Sequence, residues 1–342
     1  MFNSRSVLLL GAGASRPFGY PLGSELIDSI ADGILRAINE EIPSISIWKQ
    51  GLGVFLDQPY STLITYVEHF QRSSPSRTQF EELAKKLKRA THQSIDDFAR
   101  TNGSFRQLVK ALVALEIARV TYDNNLFRAN QPSVNQSLFG RSRDNWYSRL
   151  VSKITENCDS VEHCYERNFL SVVTFNYDRS LEHYLDMHLG SSEMFSGIKA
   201  SELVRPIHVH GSLDFKLTSG RLLDEQLGEQ IMQCHGAFSI MGEPRNAQND
   251  PVQVARSMFH QAERIYALGF DFHQSNVDLL QLKEIGVVRK VIALNFDGSA
   301  RFDNKARAAG VADENIWRPR SGETYSIARA IEDGLFETAP KQ

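Results

Sequence analysis

Short apolar runs alternate with helical periodicity along this chain of 342 residues. The first run covers Ser6 to Leu10 and stops at a glycine, which is typical of a strand buried in a parallel sheet. Later runs of the same character are Phe169 to Phe175, Ile207 to Val209, Ala237 to Ile240, Ile265 to Leu268 and Val291 to Leu294. Because helical or loop sequence lies between these runs, the pattern predicts an α/β fold with a parallel sheet.

Helical periodicity dominates the sequence between the first run and the second. A helix is predicted from about Ser24 to Ile38, and apolar residues recur at spacings of three and four in Phe80–Leu87 and in Leu108–Val120. Ser94 followed by Asp97 is the pattern of a capped helix start.

These patterns together predict a doubly wound, Rossmann-like parallel sheet with a long helical insertion after the first strand. Residues 1–23 and 166–342 would form the core, and residues 24–165 would form the insertion. We expect the insertion to lie as a cap over the carboxyl ends of the strands.

Composition narrows the possible partners and the cellular location. The net charge of −3 gives no global basic field, so we expect neither a membrane nor direct binding of nucleic acid. No stretch approaches the roughly 20 apolar residues that cross a bilayer. The apolar core at Val7–Leu10 is also shorter than the roughly 7–15 residues of a signal peptide. We therefore predict a cytoplasmic protein.

Cysteine usage argues against a structural metal. The chain has three cysteines, Cys158, Cys164 and Cys234, and no Cys-x-x-Cys pair. This excludes a four-cysteine zinc ribbon and a disulfide framework, and it favours free thiols in a reducing compartment. We expect no bound metal.

A glycine-containing turn follows the first predicted strand and consists of Gly11, Ala12, Gly13, Ala14 and Ser15. Glycine lets the backbone approach a pyrophosphate, and the start of a helix presents free N–H groups. However, Arg16 stands where a complete G-x-G-x-x-G has its third glycine, and no Walker lysine follows. A tight strand-to-helix turn without a ligand is an equally good interpretation.

Two polar residues, Asn176 and Asp178, directly follow the second predicted strand. Ligands of open α/β sheets bind outside the carboxyl ends of strands, which is where these side chains would lie. Asn176 can donate to and accept from sugar hydroxyls. Asp178 is predicted either to lie near the ligand or to cap the helix that begins at Arg179, and the two roles can coexist.

Two histidines stand two residues apart in the segment Ile207 to Ser212. His208 and His210 would share a face of a strand and could form a metal pair, but no third ligand is nearby. His210 is better placed as a general base, because it ends the strand before Gly211 and its ordinary pKa lies near working pH. His208 is by default a packed structural histidine.

Two later strands also end in residues that could meet a ligand. Gly269 and Phe270 follow one of them, and Asn295 follows the other. Gly269 would permit close approach, and Asn295 could form a hydrogen bond with an adenosine. A strand that simply meets a turn is the plain alternative for both.

The ordered set of motifs resembles the SIR2 family, the sirtuins, over most of the chain outside the insertion. The resemblance is carried by Gly11 to Ser15, Asn176 with Asp178, His210 with Gly211, Gly269, and Asn295. It implies a site that binds NAD as substrate. Asn176 and His210 would be catalytic, and the cofactor-binding residues would be Gly11, Ala12, Gly13, Ala14, Ser15, Asp178, Gly211, Ser212, Gly269, Phe270 and Asn295.

Departures from the sirtuin deacylases point to a different member of that family. The interval between His210 and Gly269 holds only Cys234, where deacylases carry a four-cysteine zinc module. Thr174 to Asp178 and Ile95 to Phe98 resemble the bacterial SIR2-like proteins of antiviral defence. The resemblance therefore implies an NAD hydrolase that depletes NAD in abortive infection.

Such an activity needs control, so we expect a homo-oligomer or a separate defence partner such as an ATPase, with the insertion as the assembly surface. Two alternatives remain open: an NAD-dependent deacylase or ADP-ribosyl transferase, and a non-catalytic sensor of NAD or ADP-ribose. A dehydrogenase is less favoured, because the dinucleotide fingerprint is incomplete.

Overall fold

The computed structural model describes residues 2–39, 60, 63–64, 76–91, 94–123, 144–213, 231, 238–239, 243, 250–320 and 322–337. The chain divides into two compact units. The sheet unit comprises Met1–Phe18, Gln131–Val209 and Arg245–Gln342, and the helical unit comprises Gly19–Asn130 and His210–Pro244. The domain boundaries drawn from the sequence stay a prediction.

A parallel sheet of six strands forms the centre of the sheet unit. Its strands are β1 (Ser6–Leu10), β2 (Leu170–Thr174), β3 (Pro206–His208), β4 (Arg264–Leu268), β5 (Lys290–Leu294) and β6 (Ile316–Trp317). They are arranged in the order β3-β2-β1-β4-β5-β6, with all neighbours parallel. This is the order of the doubly wound dinucleotide-binding fold, so the predicted α/β, Rossmann-like class is confirmed.

The direction of winding reverses at β1, and this reversal locates the crevice of the fold. β2 and β3 extend the sheet on one side of β1, and β4 to β6 extend it on the other. Leu10 pairs with Thr174 of β2 and with Leu268 of β4, so these strands end level with one another. Loops that leave such a switch point diverge to opposite faces of the sheet and form the usual ligand site of open α/β proteins.

The described helices lie in the connections between strands, and the last one follows β6. In chain order they are α1 (Ala12–Ser15), α2 (Gly23–Asn39), α3 (Arg77–Lys88), α4 (Ile95–Thr101), α5 (Arg106–Asp123), α6 (Trp146–Thr155), α7 (Val161–Arg167), α8 (Ser180–Gly190), α9 (Ala200–Leu203), α10 (Pro251–Gln261), α11 (Gln274–Leu280), α12 (Leu282–Val288), α13 (Ala300–Ala308) and α14 (Ile327–Glu332). Helices α2 to α5 belong to the helical unit, and the others belong to the sheet unit.

Burial of the central strands explains their apolar sequence. Every residue of β1 is buried, including Leu8 and Leu9, which point to opposite faces of the sheet. A strand covered on both faces reads as a continuous apolar run rather than as an alternating one. One core cluster contains Val7 and Leu9 of β1 together with Ile265 of β4 and Val291 of β5.

The predicted strands agree with the observed ones to within one residue at each end, with two exceptions. The run Ala237–Ile240 lies partly outside the described residues, and its Phe238 forms a single antiparallel bridge to Gly211. The strand β6 was not predicted, because a strand of two residues leaves no readable pattern.

The helical unit contains a helix that is buried on nearly all sides. Along α5 even Lys110 and Glu116 are buried, and each has an ionic partner: Lys110 Nζ lies 3.0 Å from Glu243 Oε2, and Glu116 Oε2 lies 2.8 Å from Arg119. The predicted cap of α4 is confirmed, since the Ser94 hydroxyl accepts a hydrogen bond from the backbone N–H three residues on, at 3.2 Å.

Between β1 and β2 every secondary-structure element of the described residues is a helix, from α1 to α7. That they form a separate insertion that caps the strands stays a prediction. Within the described ranges, no helix is long and apolar enough to span a membrane. The cytoplasmic location also stays a prediction.

Candidate functional site

The predicted glycine turn packs against the turn that follows β4. The Gly13 N–H donates to the Gly269 carbonyl at 3.0 Å, and the Gly11 N–H donates to the Leu268 carbonyl at 3.1 Å. A Cβ added to Gly11 would lie 2.5 Å from the Gly269 oxygen, and one added to Gly269, whose φ is +60°, would lie 2.1 Å from the Ala14 nitrogen. The glycines are therefore required for two backbones to meet at the switch point.

The helix that completes the turn is short, and the residues of the turn are buried or half-buried. Helix α1 (Ala12–Ser15) is a single turn that continues as the 3₁₀ helix Arg16–Phe18. The macrodipole of so short a helix is small, and the N–H groups of Gly11, Gly13 and Ala14 already donate to carbonyl oxygens of the protein. Phe270 is buried, and its ring centroid lies 5.3 Å from that of Phe175.

Ser15 joins the glycine turn to Asn176 at the end of β2. The Asn176 side-chain Nδ2 donates to Ser15 Oγ at 2.8 Å, and the Asn176 backbone N–H donates to Thr174 Oγ1 at 3.0 Å. The Asn176 Oδ1 atom is buried and has no hydrogen-bond partner. Exchanging the amide N and O would leave a buried donor unpaired instead, so the missing partner does not depend on the amide orientation.

An unpaired buried amide atom is costly, at about 1–3 kcal/mol, and is uncommon in folded proteins. In folded proteins such an atom is satisfied by a ligand or by an ordered water molecule. Among the predicted residues, Asn176 is thus one whose side chain keeps hydrogen-bonding capacity for an external partner.

Asp178 follows Asn176 by two residues and forms hydrogen bonds with the start of α8. Its Oδ1 accepts a hydrogen bond from the Ser180 N–H at 3.1 Å and another from the Ser180 hydroxyl. The Ser180 hydroxyl also contacts the Tyr147 hydroxyl at 2.7 Å. Burial raises the pKa of Asp178, and hydrogen bonds from Ser180 and Ser15 oppose that rise only in part. Asp178 therefore accepts hydrogen bonds from the first residue of α8, whose N-cap position is Arg179, and it is also a partner of Ser15.

A buried ion pair supports Asn176 from the other side. His208 Nδ1 lies 2.9 Å from the Asn176 carbonyl oxygen, and His208 Nε2 lies 2.9 Å from Glu182 Oε1. Both ring nitrogens face acceptors, so only the doubly protonated imidazolium donates to both. Burial alone would lower the pKa of His208, but the hydrogen bond and charge of Glu182 outweigh burial and raise it.

The pKa of Glu182, the carboxylate of this pair, also shifts in the direction that favours its charged form. Burial tends to raise the pKa of Glu182, but the hydrogen bond and charge of His208 outweigh it and lower that pKa, with Arg179 Nε 3.3 Å away contributing. In its charged form the pair therefore holds the Asn176 carbonyl with an imidazolium donor.

Sequence reasoning did not identify Glu182, Ser180 or Tyr147. Glu182 and Ser180 read as ordinary residues of the helix after Asp178, and Tyr147 lies in a segment that was assigned to the insertion. These residues come together because β3 pairs with β2 and places His208 beside Thr174. That pairing belongs to the tertiary structure and is not readable from the sequence.

A small cavity of about 10 Å³ lies within this polar cluster, and it is lined by Leu10, Ser15, Tyr147, Val172, Thr174, Asn176, Asp178, Leu181 and Glu182. Its volume is that of roughly one water molecule. A ribose does not fit in it. A nucleotide that contacts Asn176 would have to approach from the exposed side of this half-buried residue.

Asn295 follows β5 and is fully buried. Its Nδ2 donates to the Ser299 carbonyl at 3.0 Å and to Asp303 Oδ1 at 2.7 Å, and its Oδ1 accepts from the Gly298 N–H at 2.9 Å. Asp303 is in turn held by Arg318 Nε at 2.7 Å. The side chain thus organises its own loop, and its predicted contact with adenosine stays a prediction.

His210 and the two residues after it belong to the helical unit. His210 is buried, and its carbonyl accepts a hydrogen bond from the Ser239 N–H at 2.7 Å. Gly211 has a φ of +81° and pairs with Phe238, and Ser212 is half-buried. Asn176 belongs to the sheet unit, so the predicted convergence of Asn176 and His210 stays a prediction.

The described residues contain no group of three or more His, Cys, Asp and Glu side chains arranged to hold a metal ion. A scan against protein-family models finds no match to this chain, and a search of the curated proteins finds none either. The resemblance to SIR2-like proteins therefore depends on the ordered motifs alone.

Proposed function

We propose that this protein hydrolyses the bond between nicotinamide and ribose in NAD and releases nicotinamide and ADP-ribose. The observation that carries the proposal is the unpaired, buried amide atom of Asn176, held by Ser15 of the glycine turn. This amide stands at the carboxyl end of β2, beside the switch point of a sheet with the dinucleotide-binding strand order. The resemblance of the motifs to SIR2-like proteins supports the same activity.

The chemistry suits a site built from amides and backbone groups. The leaving pyridine of NAD already carries positive charge, and its departure leaves an oxocarbenium-like ribose. A strong general acid is therefore not needed, and positioning and electrostatics supply most of the rate. In this proposal Asn176 orients the ribose and the attacking water, and His210 acts as general base.

The remaining predicted residues would bind the rest of the substrate. Gly11 to Ser15 would hold the pyrophosphate, with Gly269 and Phe270 shaping the adjacent turn. Asp178 would lie near the carboxamide, and Gly211 and Ser212 would follow the base. Asn295 would serve the adenosine side by ordering its loop.

Glu182 and His208 act in this proposal as positioning residues. Neither needs to touch the substrate, because His208 donates to the backbone carbonyl of Asn176 and Glu182 holds His208. Fixing the backbone of Asn176 restricts where its side chain can point. Pre-organisation of this kind lowers the cost of binding a substrate in a reactive geometry.

The test is an assay of purified protein with NAD, in which nicotinamide and ADP-ribose are separated by chromatography. We expect both products to form at equal rates without any acceptor. The variants Asn176→Ala and His210→Ala should each lower product formation by about 10²–10³-fold. Asn39→Ala and His260→Ala are matched controls, because both residues are exposed and neither is assigned to the site.

The assay also separates the alternative functions. Release of nicotinamide only when an acylated peptide or a protein acceptor is added would indicate a deacylase or transferase. Binding of NAD in calorimetry without any product would indicate a sensor. Absence of both binding and turnover, at all protein concentrations and with candidate partners present, would overturn the NAD proposal.

We further propose that the activity is an NAD-depleting effector function in antiviral defence, controlled by self-assembly or by a partner such as an ATPase. Among the described residues, the exposed large hydrophobic side chains are Phe169, Met194, Val254, Val287, Val288 and Phe296. None of these lies in residues 24–165, so the described part of the predicted insertion lacks this support as an assembly surface. Light scattering across protein concentrations, with NAD turnover measured on the same samples, tests the coupling of assembly to activity.

A further inference from the structure

Two cysteines at one corner of the sheet unit lie in direct contact. Cys158 Sγ and Cys164 Sγ are 2.7 Å apart, and both residues are buried free thiols. This separation is shorter than two unbonded sulfur atoms normally keep. It brings the side chains within reach of a covalent bond, whose length is about 2.05 Å.

Local structure fixes this approach from both sides. Helix α6 ends at Thr155, and Asn157 with a φ of +58° turns the chain so that the next residue points back. The Cys158 N–H donates to the Thr155 carbonyl at 3.1 Å, and the Cys164 N–H donates to Ser160, the cap of α7, at 3.1 Å. Joining the sulfur atoms therefore needs no large movement of the backbone.

The thiols also share one acceptor. Cys158 Sγ lies 3.4 Å from the Ile154 carbonyl oxygen, and Cys164 Sγ lies 3.9 Å from the same atom. Asn168 Nδ2 donates to this carbonyl at 2.9 Å and to the Cys164 carbonyl at 3.0 Å. The cysteine pair is thus part of the connection between the end of α6 and the start of β2.

We propose that Cys158 and Cys164 form a dithiol that a peroxide oxidises to an intramolecular disulfide. The thiol of Cys158, the less buried residue, loses its proton and its sulfur attacks one peroxide oxygen, so the O–O bond breaks, the sulfur becomes a sulfenic acid, and the departing hydroxide takes up the thiol proton as water. The Cys164 thiol then attacks the sulfenic sulfur, which forms the S–S bond and releases a second water. In sum, two thiols and one hydrogen peroxide give one disulfide and two waters.

The order of attack follows from burial. Cys164 is fully buried, whereas Cys158 is 8% exposed. Burial and the neighbouring Cys158 raise the pKa of the Cys164 thiol to about 12, so Cys164 stays protonated until its neighbour is activated. The reduced pair is the expected resting state in a reducing compartment, and the disulfide is the state that a peroxide produces.

Closing this bond ties the end of α6 to α7 through a short loop. Short loops give a modest entropic gain, and for a chain of this size we expect the thermal midpoint to rise by about 3 °C. The proposal is independent of NAD chemistry, because it needs neither Asn176 nor His210.

Digestion with trypsin allows the disulfide to be detected directly. Cleavage after Lys153 and Arg167 releases one peptide, residues 154–167, that contains both cysteines. The folded wild-type protein is treated with graded hydrogen peroxide, denatured, alkylated with iodoacetamide and digested for mass spectrometry. We expect the reduced sample to show this peptide alkylated twice, and the oxidised sample to show it unalkylated and lighter by two hydrogen atoms.

Three variants complete the experiment. Cys158→Ser and Cys164→Ser should each eliminate the lighter peptide, and Cys234→Ser should leave its formation unchanged. Treatment with dithiothreitol should restore double alkylation and reverse the rise in thermal midpoint. Doubly alkylated peptide at all peroxide concentrations, or oxidation of Cys158 to a sulfinic acid without loss of the Cys164 thiol, would overturn the proposal. The wild-type measurement decides the matter even if a serine variant folds poorly.

Discussion

Two asparagines occupy equivalent places in the sheet unit and are used in opposite ways. Asn176 follows β2 and Asn295 follows β5, and in both cases an apolar parallel strand ends just before the amide. Both side-chain polar atoms of Asn295 form hydrogen bonds, with Gly298 and Ser299 of the following loop and with Asp303 of α13. Asn176 donates to Ser15 and keeps one buried amide atom unpaired.

The difference shows that position at a strand end and residue type do not separate a fully paired amide from one that keeps an unpaired atom. Counting the hydrogen-bond partners does separate them, because an amide whose atoms are all paired has no free donor or acceptor for a further partner. Asn295 stabilises a loop, whereas Asn176 is held in place by its neighbours and retains binding capacity. Substitutions at the two sites should therefore affect different properties of the protein.

The largest effect is expected from Asn176→Ala on turnover. Losing one oriented amide donor or acceptor should lower the kcat for NAD hydrolysis by about 10²–10³-fold. The free energy of unfolding should change by no more than about 1 kcal/mol, because the lost hydrogen bond is offset by removal of an unpaired buried atom. Nicotinamide release and urea denaturation measure the two quantities. A large loss of stability with full turnover would reverse the roles assigned to the two asparagines.

The next effect is expected from Asn295→Ala on stability. This change removes three hydrogen bonds and leaves Asp303 Oδ1 and the Gly298 N–H without this partner. The free energy of unfolding should fall by about 2–4 kcal/mol. Urea denaturation checks this, with Asn176→Ala as the matched control. If the two variants have equal free energies of unfolding, the proposed difference between Asn295 and Asn176 is wrong.

A smaller effect is expected from Glu182→Gln, and it should depend on pH. The folded-state pKa of His208 is raised above its ordinary 6.5, so its stabilisation is fully present below pH 6.5 and is lost as pH rises through the folded pKa. The folded-state pKa of Glu182 is lowered below 4.5, so its stabilisation is present above pH 4.5 and is lost as pH falls through that lower pKa.

The wild type should therefore exceed Glu182→Gln in stability by about 1–3 kcal/mol between pH 5 and 6.5, and the gap should narrow at higher pH. Denaturation curves from pH 5 to 9 measure it. The pH profile also distinguishes this ion pair from simple packing. A gap that stays constant with pH would show that the charge of the pair contributes nothing.

The smallest effect is expected from Ser15→Ala. The hydroxyl accepts from Asn176 and hydrogen-bonds Asp178, so its loss should lower the free energy of unfolding by about 1 kcal/mol. Turnover should fall less than in Asn176→Ala, because the amide loses its orientation but remains present. Turnover equal to that of the wild type would show that Ser15 does not orient Asn176.

The amino-acid sequence by itself determined the class of fold. Apolar runs ended by glycine or polar residues predicted five of the six strands, because a strand buried on both faces consists mostly of apolar side chains. The same logic located Asn176, Asp178 and Asn295 at carboxyl ends of strands. It could not predict β6, whose two residues carry no periodicity.

The contacts of these residues depend on the tertiary structure. The sequence places Glu182 and His208 far apart, and only the pairing of β2 with β3 brings them together beneath Asn176. Likewise, Gly11 and Gly269 are revealed as mutual packing partners because β1 and β4 are neighbours. Periodicity reports the local environment of a residue, whereas hydrogen-bond partners and charges come from segments distant in the chain.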